Sequence, residues 1–98
     1  MKIAFDVDNT LIVKSHSGED VPNYVVLYLM AHLASLFEGV DMYVWSGSGV
    51  DYAKRWCEKL GIDQQVTVVA KGSIEVDIAI DDEHVQLGKV NLKLLGDI

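Results

Sequence analysis

The sequence predicts a single α/β domain, a Rossmann-like three-layer sandwich with a central, mainly parallel sheet. Short apolar runs alternate with longer amphipathic runs in the order β-α-β-α-β-β, which is typical of parallel strands joined by helices that cover the sheet. The chain has 98 residues, half of them hydrophobic, enough for one core and too few for a second domain. No repeat, linker or low-complexity stretch divides it, so residues 1–98 are expected to form one unit.

The first half of the chain is predicted to contain a strand, a loop and a helix. Residues 2–7 are expected to form a buried strand, because their apolar run is ended by polar residues. The segment of about residues 11–21, with KSHSGED at its centre, is expected to be a flap-like loop. Pro22 suits the first turn of a helix that should continue to residue 37 and end at Gly39.

The second half is predicted to contain three strands and one helix. Residues 40–45 read as a strand that is broken by SGSG, where a serine could cap the helix that follows. That helix should stop at Gly61. Residues 66–70 and 76–80 are the third and fourth predicted strands, and an acidic run closes the fourth. The tail, residues 84–98, is compatible with an edge strand or a short helix.

The composition excludes some functions and favours others. The formal charge is −7, from 8 basic and 15 acidic residues, which disfavours an extended nucleic-acid-binding face. Part of that charge could be neutralised by a bound cation. Cys57 is the single cysteine, so no intrachain disulfide is possible, and its neighbours suit a packed thiol. No signal peptide is visible and residues 21–37 are a poor membrane span, so a cytoplasmic protein is expected.

Polar residues follow each predicted strand at the point where its apolar run stops. Because ligands bind at the carboxyl ends of parallel strands, we expect six of these side chains to face one crevice: Asp6 and Asp8, Ser46, Lys71, and Asp81 and Asp82. Crowded carboxylates repel one another, and Mg²⁺ would remove that penalty. A hydroxyl and an ammonium beside them suit a phosphoryl group, and a carboxylate can attack its phosphorus.

At these residues the chain resembles the haloacid dehalogenase superfamily of phosphatases. The family's first motif matches DVDNTL at residues 6–11, the second matches MYVWS ending at Ser46, and the fourth matches DIAIDD ending at Asp81 and Asp82. Lys71 is the best match to the third-motif lysine, although it lies only a few residues before the last strand, where many relatives have a longer helical segment. The motifs occur in the family's order and cover most of the chain.

The resemblance implies a role for each matched residue. Asp6 would be the nucleophile, and Asp8 would be the general acid and then the general base. Lys71 would neutralise charge beside Asp6. Phosphoryl or substrate contacts are implied for Asn9, Thr10, Ser46 and Gly47. Mg²⁺ would be held by Asp6, by the main-chain carbonyl of Asp8, and by the fourth-motif pair, with Asp82 the main ligand and Asp81 assisting.

Several alternatives stay open at this point. The chain has no room for a cap domain, so it resembles the capless type, whose open site is covered by the substrate or by a neighbouring subunit. A homo-oligomer is therefore possible, and the phosphorylated substrate could be a small molecule or a macromolecule. A non-catalytic interaction or phosphate-binding module is the alternative function. A receiver-like domain is disfavoured by the motif order, and a calcium loop by Leu11 and Ser17 at positions that need glycine and glutamate.

Overall fold

A computed structural model describes residues 1–36 and 38–94 of the chain. Its elements follow one another along the chain as β1 (Lys2–Phe5), β2 (Ile12–Val13), β3 (Val21–Pro22), α1 (Tyr24–Leu36), β4 (Asp41–Val44), α2 (Val50–Leu60), β5 (Thr67–Val68), β6 (Val76–Asp81) and β7 (Gly88–Lys93). Strands and helices alternate through most of this order, which confirms the predicted α/β class.

Five strands form a single sheet in the order β5-β4-β1-β6-β7, and every pairing in it is parallel. The central strand β1 pairs with β4 on one side, where Ile3 lies opposite Met42, and with β6 on the other, where Ile3 lies opposite Ile78. Strands β4 and β5 lie on one side of β1, and β6 and β7 lie on the other. The strand order therefore reverses between β1 and β6, which is where ligands bind in open parallel sheets.

Both helices lie on the same face of the sheet, which corrects the three-layer prediction. Val26 of α1 and Ala53 of α2 share a core cluster with Phe5 and other sheet side chains of that face. The opposite cluster, around Trp45 and Ala79, contains no helical residue within the described part of the chain and is covered by loop side chains. The links from β5 to β6 and from β6 to β7 pass this face, and both are too short to hold a helix.

The predicted flap-like loop contains a small β-hairpin. β2 and β3 pair antiparallel, with Ile12 opposite Pro22. The prediction that Pro22 starts a helix is therefore wrong, and α1 begins two residues later at Tyr24. A hydrogen bond of 2.8 Å from the Asn23 N–H to the Leu11 carbonyl holds the exit of the hairpin. The predicted helix end at residue 37 lies outside the described residues, and Gly39 has a positive φ of 72°.

The second helix ends as predicted and begins differently. Gly61 takes a left-handed conformation, and its N–H points at the last carbonyls of α2, which is a common way for a helix to stop. At the start, Gly49 occupies the cap position and no side chain caps the helix. The expected serine cap is therefore absent, because the hydroxyl oxygen of Ser46 accepts the N–H of Ser48 instead, at 3.0 Å.

The tail forms an edge strand, one of the two structures its pattern allowed. β7 pairs with β6 in parallel, with Ile80 opposite Leu92, although only six residues join the two strands. The fit is close, since a Cβ on Gly88 would lie 2.8 Å from the Ala79 nitrogen. Residues 95–98 of the predicted tail lie outside the described residues. Among the described helices, none is both long and apolar enough to cross a bilayer.

Candidate active site

A tight turn after β1 presents two aspartates on either side of a core residue. The Val7 carbonyl accepts the N–H groups of Thr10, Leu11 and Ile12 at 3.0 to 3.2 Å, which curls the chain immediately after the strand. Val7 is fully buried, whereas the neighbouring Asp6 and Asp8 side chains reach the same cavity. The alternation of acid, valine and acid is thus explained by a strand end whose middle side chain belongs to the core.

The next two residues of the motif have different surroundings. Asn9 has a positive φ of 58°, which asparagine tolerates better than most residues, and its side-chain oxygen accepts the Lys14 N–H at 3.1 Å. Thr10 is fully buried, and its hydroxyl has no hydrogen-bond partner among the described residues. Asn9 lines the cavity and Thr10 does not, so the expected substrate contact of Thr10 is not supported by its position.

Lys71 links the two acidic motifs. Its ammonium nitrogen lies 3.2 Å from an Asp6 oxygen and 2.8 Å from an Asp81 oxygen. Burial by itself lowers the pKa of Lys71, but the ion pairs with Asp81 and Asp6 outweigh it, so that this pKa is raised. The lysine therefore stays charged, and it stands where the sequence motif predicted, just beyond β5.

Asp6, Asp81 and Asp82 form a compact acidic cluster, in which one oxygen from each lies within 4.8 Å of the others. Burial, followed by the charge of Asp81, raises the pKa of Asp6 from 3.8 to about 7. Burial, followed by a hydrogen bond with Asp81, also raises the pKa of Asp82. Both shifts have the same origin, the crowding of carboxylates in a partly desolvated place, and a cation would offset that crowding.

Ser46 and Gly47 lie in the turn between β4 and α2. Ser46 is nearly buried and follows the core residue Trp45. Its main-chain carbonyl accepts the Gly49 N–H at 3.0 Å, and its side-chain oxygen accepts the Ser48 N–H at the same distance. Because the oxygen is used only as an acceptor, the hydroxyl proton remains free to point into the cavity.

One cavity of about 320 Å³ gathers the predicted residues at the carboxyl edge of the sheet. It is lined by Asp6, Asp8, Asn9, Lys14, Ser46, Gly47, Ser48, Lys71, Asp81, Asp82 and Glu83. Every predicted site residue except Thr10 is among them. The lining contains five carboxylates and two ammonium groups, so the cavity is acidic and is suited to a cation together with a phosphoryl group rather than to a bare anion.

Four residues at or beside the cavity were not predicted from the sequence: Lys14, Ser48, Glu83 and Tyr52. Tyr52 lies on α2, and its hydroxyl donates a 2.5 Å hydrogen bond to the Asp8 carboxylate. Lys14 follows β2 and pairs with Asp20 at 2.8 Å across the hairpin. Lys14 was not predicted because it reaches the cavity through the pairing of β2 with β3, and these strands have only two residues each. Tyr52 was not predicted because its helical spacing on α2 is typical of a core residue. Ser48 and Glu83 each lie three residues beyond a predicted strand end, in the polar runs SGSG and DDE, and that was the available signal.

Asp8 differs from the acidic cluster in its surroundings. Its carboxylate is bound by Tyr52 and does not belong to the group of three carboxylates that could hold a metal. One acid of the DVD motif thus faces Lys71, and the other faces a phenol. Two carboxylates in unlike environments are suited to different tasks.

Comparisons with known proteins add no evidence on the function of this site. No protein-family model matches the chain, and no curated protein or solved structure matches it either. The resemblance to the haloacid dehalogenase superfamily therefore rests on the residues of the four motifs and on no detected relative.

Proposed function

We propose that the protein is a Mg²⁺-dependent phosphatase of the haloacid dehalogenase type that hydrolyses a phosphomonoester through an aspartyl-phosphate. The observation that carries the proposal is the position of Asp6. This carboxylate is almost fully buried, lies 3.2 Å from the Lys71 ammonium, and adjoins Asp81 and Asp82. A buried carboxylate held beside a fixed positive charge is suited to nucleophilic attack on phosphorus.

The donor set fits the implied metal. Asp6, Asp81 and Asp82 offer three oxygens close together, and Mg²⁺ takes oxygen ligands while keeping several waters. The pKa values of Asp6 and Asp82 are raised by burial and by the neighbouring Asp81. A divalent cation bound between these carboxylates would counter both effects. When bound, the metal would neutralise charge on the phosphoryl oxygens. The Asp8 carboxylate, held by Tyr52, is left for proton transfer.

The reaction would proceed in two displacements. In the first, an Asp6 carboxylate oxygen bonds to phosphorus while the ester P–O bond breaks, and Asp8 gives its proton to the departing alcohol oxygen. In the second, Asp8 takes a proton from a water whose oxygen attacks phosphorus, and the bond from phosphorus to Asp6 breaks to release inorganic phosphate. Protons and electron pairs balance, and the enzyme returns to its starting form.

The remaining lining residues would bind the phosphoryl group. The free hydroxyl proton of Ser46 is available to a phosphoryl oxygen, and Gly47 and Asn9 line the same wall. Lys71, already beside Asp6, would offset charge on the transferring group. Among the described residues, the lining contains no apolar or aromatic side chain to contact the rest of a substrate. We also propose a cytoplasmic location, since the chain's one thiol is free and buried.

The test is hydrolysis of an aryl phosphate by the wild type and by Asp6→Asn, with Mg²⁺ and with a chelator. We expect turnover that needs Mg²⁺ and falls by about 10³-fold or more in the variant. Asp51→Asn, which removes an exposed carboxylate at the start of α2, is the matched control and should keep wild-type activity. Full activity in Asp6→Asn would refute the mechanism.

A silent wild type would need a second measurement. Beryllofluoride with Mg²⁺ mimics a phosphoryl group on a carboxylate, so it should raise the melting temperature of the wild type and not of Asp6→Asn. That result without turnover of any phosphorylated compound would favour the phosphate-binding module. An unchanged melting temperature in both proteins would contradict the phosphatase and the phosphate-binding module alike.

A further inference from the structure

The outer side of α1 is apolar and exposed. Five large hydrophobic side chains point away from the core there: Tyr24, Val25, Tyr28, Leu29 and Leu36, with exposed fractions of 60, 78, 71, 39 and 58%. We refer to these five as the α1 outer face. The inner side of the same helix is also apolar, with Val26 and Met30 buried. A helix that is largely hydrophobic on both sides normally has partners on both.

This surface has no acidic side chain and no Lys or Arg in a chain that is otherwise strongly acidic, and its exposed polar side chains are His32 and Ser35. No Asp, Glu, Lys or Arg occurs between Tyr24 and Leu36, whereas the whole chain carries −7. A basic partner would find no carboxylate here to pair with. A lipid surface is disfavoured because membrane-lying helices usually present Lys or Arg to the headgroups, and an acidic protein is repelled by anionic lipid.

The same side of the sheet is uncovered beyond the helices. Val90 and Leu92 of β7 lie opposite Ile78 and Ile80, which face the helix side of the sheet, and they remain 50 and 48% exposed. Both helices belong to the crossovers between β1, β4 and β5, so the half of this face formed by β6 and β7 has no helix of its own among the described residues. The helix side of the sheet therefore carries a second exposed apolar patch, on β7.

We propose that two copies of this chain associate through the α1 outer face, with the helices antiparallel about a two-fold axis. Such an interface must be self-complementary, and an apolar surface without charges satisfies that condition for two equally acidic copies. Aromatic side chains present about 150 to 250 Å² each and aliphatic ones less, so at these exposed fractions the five residues expose on the order of 500 Å² per copy. Two copies thus offer about 1,000 Å² of apolar surface, close to the lower range of specific interfaces, about 1,200 Å². This inference does not depend on the proposed activity.

The first test is sedimentation velocity of the full chain over about a hundredfold range of concentration. We expect a dimer for the wild type and a monomer for the double variant Val25→Glu/Tyr28→Glu, with an unchanged circular dichroism spectrum. Gln65→Glu adds a charge at an exposed site beyond α2 and should remain a dimer. A monomeric wild type at the highest concentration, or a folded double variant that still dimerises, would overturn the proposal.

The second test checks which surface is buried. In a two-fold pair that meets at the α1 outer face, residues near the middle of α1 lie close to their own counterparts, so Tyr28→Cys should form a disulfide-linked dimer on mild oxidation and Gln65→Cys should not. Cys57 will not interfere, because it is buried and burial raises its pKa to about 11. Equal cross-linking from both positions would mean random collision and would contradict the assigned surface.

Discussion

The Tyr52 hydroxyl donates a 2.5 Å hydrogen bond to one carboxylate oxygen of Asp8. This contact joins α2 to the turn after β1, 44 positions apart in the chain. It holds one oxygen of Asp8 and leaves the other for the substrate. The orientation of the proposed acid and base therefore depends on a residue outside all four motifs.

Removing this hydroxyl should slow the reaction more than it weakens binding. In Tyr52→Phe the Asp8 side chain is free to rotate, and a hydrogen bond to a charged group contributes about 2 kcal/mol. We expect kcat to fall by up to about 30-fold while KM changes little, measured with an aryl phosphate. Tyr43→Phe, in β4 and away from the cavity, is the control. Equal losses in the two variants would show that the Tyr52 contact has no specific role.

The stability of the chelated protein should depend on pH through Asp6. Its pKa is raised from 3.8 to about 7 by burial and by Asp81, so the folded state binds the proton more tightly than the unfolded state. The contribution of Asp6 is therefore favourable at low pH and is lost as the pH rises from about 4 to about 7, by at most on the order of 4 kcal/mol.

Denaturant unfolding of the wild type and Asp6→Asn, with a chelator present, checks this sign. The variant has no ionisable side chain at position 6, so it does not lose stability as the Asp6 carboxyl ionises. Its stability relative to the wild type should therefore increase from pH 4 to about pH 7 and then stay constant. Asp77→Asn is the control, because the Lys2 N–H and Lys89 lower the pKa of Asp77. The stability of this variant relative to the wild type should therefore not increase over the same pH range. A difference that decreases with pH for Asp6→Asn would contradict the assigned shift.

Lys71→Met should separate metal binding from catalysis. Removing the ammonium leaves the acidic cluster without its only cation within 3.2 Å among the described residues, so Mg²⁺ should bind about tenfold more tightly. Activity should nevertheless fall by at least about 100-fold. Calorimetric titration with Mg²⁺ measures the first effect and aryl phosphate hydrolysis the second.

The control for this variant is Lys89→Met, which removes an exposed lysine paired with Asp77 at 3.3 Å. Its Mg²⁺ affinity and activity should match those of the wild type. Weaker Mg²⁺ binding by Lys71→Met would mean that the metal does not occupy the acidic cluster.

Gly88→Ala should destabilise the fold. The new Cβ would lie 2.8 Å from the Ala79 nitrogen and 2.9 Å from the Val90 oxygen, and main-chain atoms of a paired strand cannot move away at small cost. We expect a loss of about 2 kcal/mol in the free energy of unfolding, measured with urea. Gly18→Ala, whose Cβ would have an ordinary contact of 3.5 Å with Ser15, should change stability little. Similar stabilities for the two variants would show that β7 is not packed this closely.

The strand ends and helices could be predicted because their signals are local. DVDN, SGSG and DD each end an apolar run, and the parallel sheet then brings them to one edge. The hairpin was missed because β2 and β3 have two residues each, too few for an alternation to be visible. Pro22 was wrongly predicted to start a helix, because its fixed φ suits an edge strand as well as a helix start.

Two features of the site depend on tertiary contacts alone. Thr10 belongs to the best-matched motif, yet the turn that exposes Asp6 and Asp8 directs Thr10 into the core. Tyr52 has helical spacing typical of a core residue, and only the packing of α2 against β1 brings its hydroxyl to Asp8. The single-sided placement of the helices has a similar origin, because links of six or seven residues are visible only after the strands have been located.

The place of β1 in the sheet has a consequence for the order of events during folding. Its pairing with β6 joins residues about 75 positions apart, such as Ile3 and Ile78, and closing so long a loop is entropically costly and slow. On the ribosome, Asp6 emerges before Lys71 and Asp81, which follow it 65 and 75 positions later. We therefore expect a nascent chain that stops before β6 to be unable to build the acidic cluster, so that any phosphatase activity arises only on the completed sheet.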